Sequence, residues 1–121
     1  MEVIPMDDSI LNSIKKLLGF DPDYTAFDAD IIVHINTCFR ILNQIGVGKR
    51  GFTISDRYPI WAQFLESNTV PLDEVITYVY LRVKMVFDPP SSSLVSDAIK
   101  TNIDELTWRM NVEVDPECTF T

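Results

Sequence analysis

The sequence is poor in the residue types that most often carry chemistry. It contains one histidine, His34, and two cysteines far apart in the chain, Cys38 and Cys118. This set is too small for a zinc site or a disulfide framework. The spacing signatures of serine hydrolases and zinc proteases are missing too. Pairs of acidic residues fall at helix starts or on polar helix faces, where carboxylates are ordinarily solvated. We therefore expect no enzyme, no bound metal and no cofactor.

Long apolar runs and excess positive charge are also missing. No run reaches the roughly 18 residues that a membrane-spanning helix needs, and the N-terminal MEVIPMDDS has no signal-peptide pattern. The 10 Lys and Arg stand against 18 Asp and Glu, a net charge of -8. A protein that wraps phosphates usually presents a basic face, so global binding to nucleic acid is excluded. The 121 residues, 46% hydrophobic, suit one globular domain.

What the sequence does contain is helical periodicity. Apolar side chains recur every three or four residues in four segments. The predicted helices are 10–18 (capped by Asp7 or Asp8), 28–45, 71–87 and 94–111, with a short helix from Ser55 or Asp56 to Leu65. The segment 71–87 is rich in β-branched residues, which favour strands, but it is too long for a typical strand. The sequence predicts an all-α fold: a small helical bundle of four to five helices with a Gly-rich loop and an extended C-terminal tail.

The Gly-rich loop, residues 46–57, carries the spacing of a phosphate-binding motif. Its GVGKRG matches G-x-G-x-x-G formally. The dinucleotide fingerprint, however, needs a strand before the loop and a helix beginning within it, whereas here a helix ends at Gly46. We interpret the loop as mobile or sharply turning. Its basic pair, Lys49 and Arg50, is then either solvated or in contact with a negatively charged partner.

Taken in order, the segments resemble the small head-tail connector (adaptor, or head-completion) proteins of tailed bacteriophages and prophages. The resemblance covers about residues 10–111, and the tail does not match. It rests on IKKLLGFDPDYTAFDADI (14–31), HINTCFRILNQIGVG (34–48), YVYLRVKMVFDPP (78–90) and IKTNIDELTWRMN (99–111). Each piece alone is weak, but the combination is specific.

The resemblance implies a structural virion protein located at the head-tail interface and made in the bacterial host cytoplasm. Such proteins form a ring, usually dodecameric, that joins the portal protein to the stopper or tail-completion protein and extends the DNA channel. DNA then passes through without specific binding, and no membrane is involved. The alternative is a small acidic helical protein-interaction or regulatory module.

The resemblance also suggests how the chain divides and which residues make contacts. A helical connector domain spans 1–111, including a short N-terminal arm, 1–6, and an extended tail spans 112–121. We expect the tail to bind portal by adding a strand to a sheet edge. Its candidate residues are Val112, Glu113, Val114, Asp115, Pro116 and Phe120. Loop contacts to a neighbour, the stopper or DNA are assigned to Lys49, Arg50 and Phe52. Aromatic residues make up 11% of the chain, more than one small core must hold, and such residues are enriched at interfaces. The candidate ring-interface residues are Trp61, Tyr80, Arg82, Trp108 and Arg109.

Overall fold

The computed structural model describes residues 6–65 and 70–114, and this part of the chain forms five helices. They are α1 (Ile10–Leu18), α2 (Asp28–Gln44), α3 (Trp61–Leu65), α4 (Leu72–Phe87) and α5 (Ser93–Val114). Within these residues, strand-type pairing is limited to one isolated bridge, between Ser9 and Ile60. The prediction of an all-α bundle is therefore confirmed.

Helix α4 lies at the centre of the bundle and packs against α1, α2 and α5. Its residues Val75, Tyr78, Val79 and Val83 are fully buried. In isolation, their β-branched and aromatic side chains would favour a strand. Here they form one stripe that fills the core, and such packing is the main source of helix stability in proteins. The helix predicted over 71–87 is confirmed.

Helix α1 begins and ends at well-defined caps. The Ser9 hydroxyl accepts a hydrogen bond from the Asn12 N–H at 3.2 Å. The prediction that Asp7 or Asp8 caps this helix is therefore wrong, because the N-cap must directly precede the first helical residue. At the other end, Gly19 adopts φ 93° and its N–H donates to the last carbonyl groups, as expected for a glycine that ends a helix.

Helix α3 begins later than predicted. Residues 55–60 do not extend it, because the Pro59 carbonyl accepts the Ile10 N–H at 3.0 Å and the Arg57 carbonyl accepts the Ser9 hydroxyl at 2.6 Å. The carbonyl groups of this segment accept hydrogen bonds from the start of α1, so they are not used to extend α3.

Helix α5 ends later than predicted. Val112, Glu113 and Val114 were expected in an extended tail, but they form its last turn. This turn is packed: a Cβ placed on Gly46 would lie only 2.7 Å from Val114 Cγ1. The packing against the end of α2 explains why the helix continues past Asn111. The rest of the predicted tail, residues 115–121, lies outside the described residues.

Aromatic side chains fill the part of the core between α2 and α3. The rings of Phe39 and Phe64 stack with centroids 4.1 Å apart, and Trp61 meets Phe39 edge-on at 6.3 Å. The Trp61 indole N–H donates to the Ser13 hydroxyl at 3.2 Å, so its polar atom is satisfied inside the core.

Candidate assembly surfaces

The glycine-containing loop that follows α2 is tied to that helix by two asparagines. Asn43 Nδ2 donates to the Lys49 carbonyl at 3.2 Å, and its Oδ1 accepts the Gly51 N–H at 3.1 Å. Asn36 exchanges two hydrogen bonds with the backbone of Ile54, at 2.9 and 2.8 Å. Of the two predictions for this loop, mobile or sharply turning, the second fits: the loop turns sharply, and these hydrogen bonds fix it on α2.

The apolar spacing that predicts the second helix does not reveal this role of the two asparagines, because it places them only on the polar side of the helix. The usable signal was the spacing: Asn36 and Asn43 are seven residues apart, so they share a helix face, and a glycine-containing loop follows directly. An amide side chain offers both donor and acceptor, which suits it to bind a turning backbone.

The G-x-G-x-x-G segment does not have the geometry of a phosphate cradle. Its N–H groups already donate inside the protein: that of Gly46 to the Asn43 carbonyl, that of Lys49 to the Phe64 carbonyl, and that of Gly51 to Asn43 Oδ1. A phosphate site would need these donors directed outward.

The tip of the loop presents two cations. Lys49 and Arg50 are exposed, whereas Phe52 is half-buried and packs on Phe64, with ring centroids 5.6 Å apart. Phe52 therefore anchors the loop to the core, and only part of its side chain is left for the predicted contact with another molecule. Exposed Arg40 projects from the same face of α2 as Asn36 and Asn43. We call Arg40, Lys49 and Arg50 the basic face. Within the described residues, none of the three has an ion-pair partner.

Helix α5 carries a second surface of opposite charge. Its buried contacts come from Ile99, Ile103 and Met110. On the opposite side, five exposed residues follow one another at spacings of three, four, three and four, which places them in one row along the helix. We call this row the outer stripe: Leu94, Asp97, Thr101, Asp104 and Trp108. Leu94 is 78% exposed and Trp108 is 64% exposed.

The predicted ring-interface residues are not brought together. Trp61 is fully buried in the core, so its prediction as a contact residue does not fit the fold. The reason is that its ring packs against Phe39 and its indole N–H donates to Ser13, so the whole side chain is used inside the core. Tyr80 is half-buried on α4. Arg82, also half-buried, places its guanidinium 5.6 Å from the centre of the Tyr78 ring.

Two open grooves flank α5 where it meets α4. One has a volume of about 220 Å³ and the other about 290 Å³. Arg82 lines the smaller groove with Asp104, and Arg109 lines the larger one with Glu105. Arg109 is held there by an ion pair with Glu105, at 2.7 Å. The two arginines predicted for one interface thus lie in separate grooves.

The tail residues within the described part belong to a helix. Glu113 lies against Glu74 at the start of α4, and each carboxylate has one buried oxygen without a hydrogen-bond donor in the described chain. Burial, and then the negative charge of Glu113, raises the pKa of Glu74 above its usual range. This pair of like charges lies at the contact between the ends of α4 and α5.

The interior near Arg82 holds titratable groups without forming a reactive site. Burial raises the pKa of the Cys38 thiol to about 11, and the nearby Arg82 guanidinium opposes that shift only in part. Burial likewise raises the pKa of Tyr78. A thiol that stays protonated at neutral pH is a poor nucleophile. In the described ranges, no three His, Cys, Asp or Glu side chains come together in a group that could hold a metal.

These features define a small helical protein whose distinctive parts are surfaces that other proteins can contact. The comparison with known families agrees. The chain matches the family described as Phage connector protein over residues 10–117, and it belongs to that family. It is a phage head-tail connector, a structural protein of the phage neck. The family is a structural one and not an enzyme family.

No curated protein and no solved structure matches the chain. None of the helices in the described residues is both long and apolar enough to cross a membrane. The family assignment favours the connector interpretation over the alternative of a regulatory module.

Proposed function

We propose that this connector is a ring-forming adaptor. Copies of the chain assemble around the DNA channel, bind the portal protein on one side and present a platform to the stopper or tail-completion protein on the other. The ring takes the portal's symmetry, most often dodecameric. DNA passes through it without specific binding.

The observation that carries the proposal is the outer stripe of α5. A 22-residue helix of which only three residues are buried leaves most of its surface exposed. Leu94 and Trp108 are large apolar side chains on that surface. Tryptophan is among the residues most enriched at the energetic centres of protein interfaces. A ring of identical subunits also needs two different, complementary patches on each copy, and the basic face supplies a second one.

The charge balance supports a channel that does not grip DNA. With a net charge of -8, the protein repels the phosphate backbone over most of its surface. Its exposed cations are spread over α1, α2, the loop that follows α2, and α5. They do not form the continuous basic surface that makes the multiple phosphate contacts of a DNA-binding protein.

For the portal contact, the proposal keeps the C-terminal tail with one change. Val112, Glu113 and Val114 are part of α5, so the segment assigned to portal binding begins at Asp115 and includes Pro116 and Phe120. A chain truncated after Val114 keeps the packing on Gly46 and is the appropriate test. We expect it to remain folded and to bind portal more weakly than the full chain. Equal binding would remove the tail from the proposal.

Native mass spectrometry of the chain mixed with the portal protein of the same phage tests the main proposal. The expected result is a portal-bound ring with one copy of the chain per portal subunit. A parallel titration with duplex DNA should show weak, sequence-independent binding that disappears at physiological salt. A folded chain that stays monomeric with portal, or one that binds a specific duplex tightly, would contradict the adaptor role.

A further inference from the structure

The charges of this protein are segregated along the chain and in the fold. The stretch 31–65 contains four basic side chains against one acidic side chain, and the only acid is Asp56. The segment 72–114, which holds α4 and α5, contains four basic side chains against seven acidic ones. The molecule therefore has a positive region around the loop and the C-terminal half of α2, and a negative region around α4 and α5.

We infer that the basic face of one copy docks on the outer stripe of α5 of a second copy, forming the subunit contact of the ring. This inference rests on the proposed ring function and specifies its interface. Arg40, Lys49 and Arg50 face Asp97 and Asp104 across the contact, with Trp108 as the apolar anchor.

The two surfaces have the properties that such a contact needs. Asp97 and Asp104 lie two helical turns apart, about 10 Å along the axis. Within the described residues neither has an ion-pair partner, and the same holds for the basic face. Unpaired charges of opposite sign on two surfaces steer subunits together and set their register.

Both surfaces also carry apolar side chains that are exposed to water. Trp108 and Leu94 stand at opposite ends of the outer stripe, about 21 Å apart. On the basic side, Val33 is 61% exposed and lies seven residues before Arg40, on the same face of α2. Burial of such residues provides the affinity that exposed ion pairs alone do not.

The basic face is organised before any partner arrives. The hydrogen bonds from Asn36 and Asn43 hold the loop on α2, so Lys49 and Arg50 are presented from a fixed backbone. A fixed loop loses less conformational entropy on binding than a free one. Because the two surfaces are different, the contact is head-to-tail and repeats around a ring.

Charge-reversal variants test the pairing through mutual rescue. Lys49→Glu with Arg50→Glu makes the loop acidic, and Asp97→Lys with Asp104→Lys makes the stripe basic. Each double variant then places like charges across its own subunit contact. In an equimolar mixture, every contact between unlike variants joins opposite charges again.

We expect each double variant alone to assemble at least about tenfold more weakly than the unmodified chain, with or without portal, and the mixture to restore rings of alternating subunits. The readout is native mass spectrometry, with one variant labelled with ¹⁵N. The control is Asp23→Lys with Asp30→Lys, which makes the same change in net charge at exposed positions outside the stripe; it should assemble normally. Circular dichroism confirms that each variant is folded.

Two results would overturn the inference without contradicting the proposed ring function. In the first, each charge-reversal variant alone forms rings as readily as the unmodified chain does. The other is a loss of assembly that mixing two folded variants does not restore. If the loop variant loses only DNA binding or only portal binding, the basic face belongs to that partner and the inference fails. An unmodified chain that never assembles, even on portal, contradicts the ring function itself.

Discussion

The substitution Gly48→Ala probes how closely the loop is fitted to the core. Gly48 has φ 82°, a conformation that residues with a Cβ rarely adopt. A Cβ added there would overlap three atoms of the Phe64 ring. That ring cannot move aside easily, because it is fully buried and stacked on Phe39.

Two costs add up at this position. The left-handed backbone conformation costs a residue with a Cβ about 1–2 kcal/mol. Forcing a methyl group into a packed core costs about 1–3 kcal/mol more. Gly51 provides the matched control: its φ is 76°, but nothing lies within 4 Å of an added Cβ. Gly51→Ala therefore carries only the first cost.

Urea denaturation followed by far-ultraviolet circular dichroism measures the difference. We expect Gly48→Ala to reduce the free energy of unfolding by about 2–5 kcal/mol and Gly51→Ala by about 1–2 kcal/mol. Adding Phe64→Leu to Gly48→Ala should cost less than the sum of the single effects, because the smaller side chain makes room. If the two glycine variants were equally stable, the close fit of the loop on the Phe64 ring would be refuted.

Three further predictions concern buried polar groups. The raised pKa of Glu74 means that the folded state loses stability as the pH rises from below the usual value of 4.5. Glu74→Gln should therefore raise the melting temperature at pH 7 by removing a charge that is disfavoured by burial and then by repulsion from Glu113, and the gain should shrink at pH values below 4.5; a gain that does not depend on pH would contradict this cause. Lys15 is 1% exposed and its Nζ lies 2.8 Å from Asp28 Oδ1, so Lys15→Met should destabilise the fold by about 3 kcal/mol, against under about 0.5 kcal/mol for Lys100→Met at an exposed position of α5. If the Lys15 variant and its control lowered the free energy of unfolding equally in denaturation, the buried ion pair would contribute nothing to stability. The Cys38 thiol, with a pKa of about 11, should resist maleimide at pH 7 until the protein unfolds; peptide mapping that finds label on it in the native protein would refute its burial.

The helices were predictable because their signals are local. Apolar spacing, the glycines at 19 and 46, and the prolines at 71, 89 and 90 depend on neighbouring residues alone, and they placed most helix boundaries to within a residue or two. The family resemblance was readable for the same reason, since it rests on ordered local segments.

The errors lie where distant contacts decide. Trp61 was placed on a surface because an excess of aromatic residues suggested an interface, but the core between α2 and α3 takes it in. The start of α3 was misplaced because the backbone near Pro59 serves α1. The end of α5 was misplaced because Val114 packs on Gly46, about 70 residues earlier in the chain. The outer stripe went unnoticed as a set, because its spacing becomes informative only once the buried side of α5 is known.

The contact between Val114 and Gly46 determines where the polypeptide leaves the helical bundle. The last described turn of α5 rests on the first residue of the glycine-containing loop, so the chain departs from the same end of the molecule that carries Lys49 and Arg50. A partner that holds the residues after Val114 is therefore brought next to the loop. Tension applied along the C-terminal segment would therefore act first on the contact between the last described turn of α5 and Gly46.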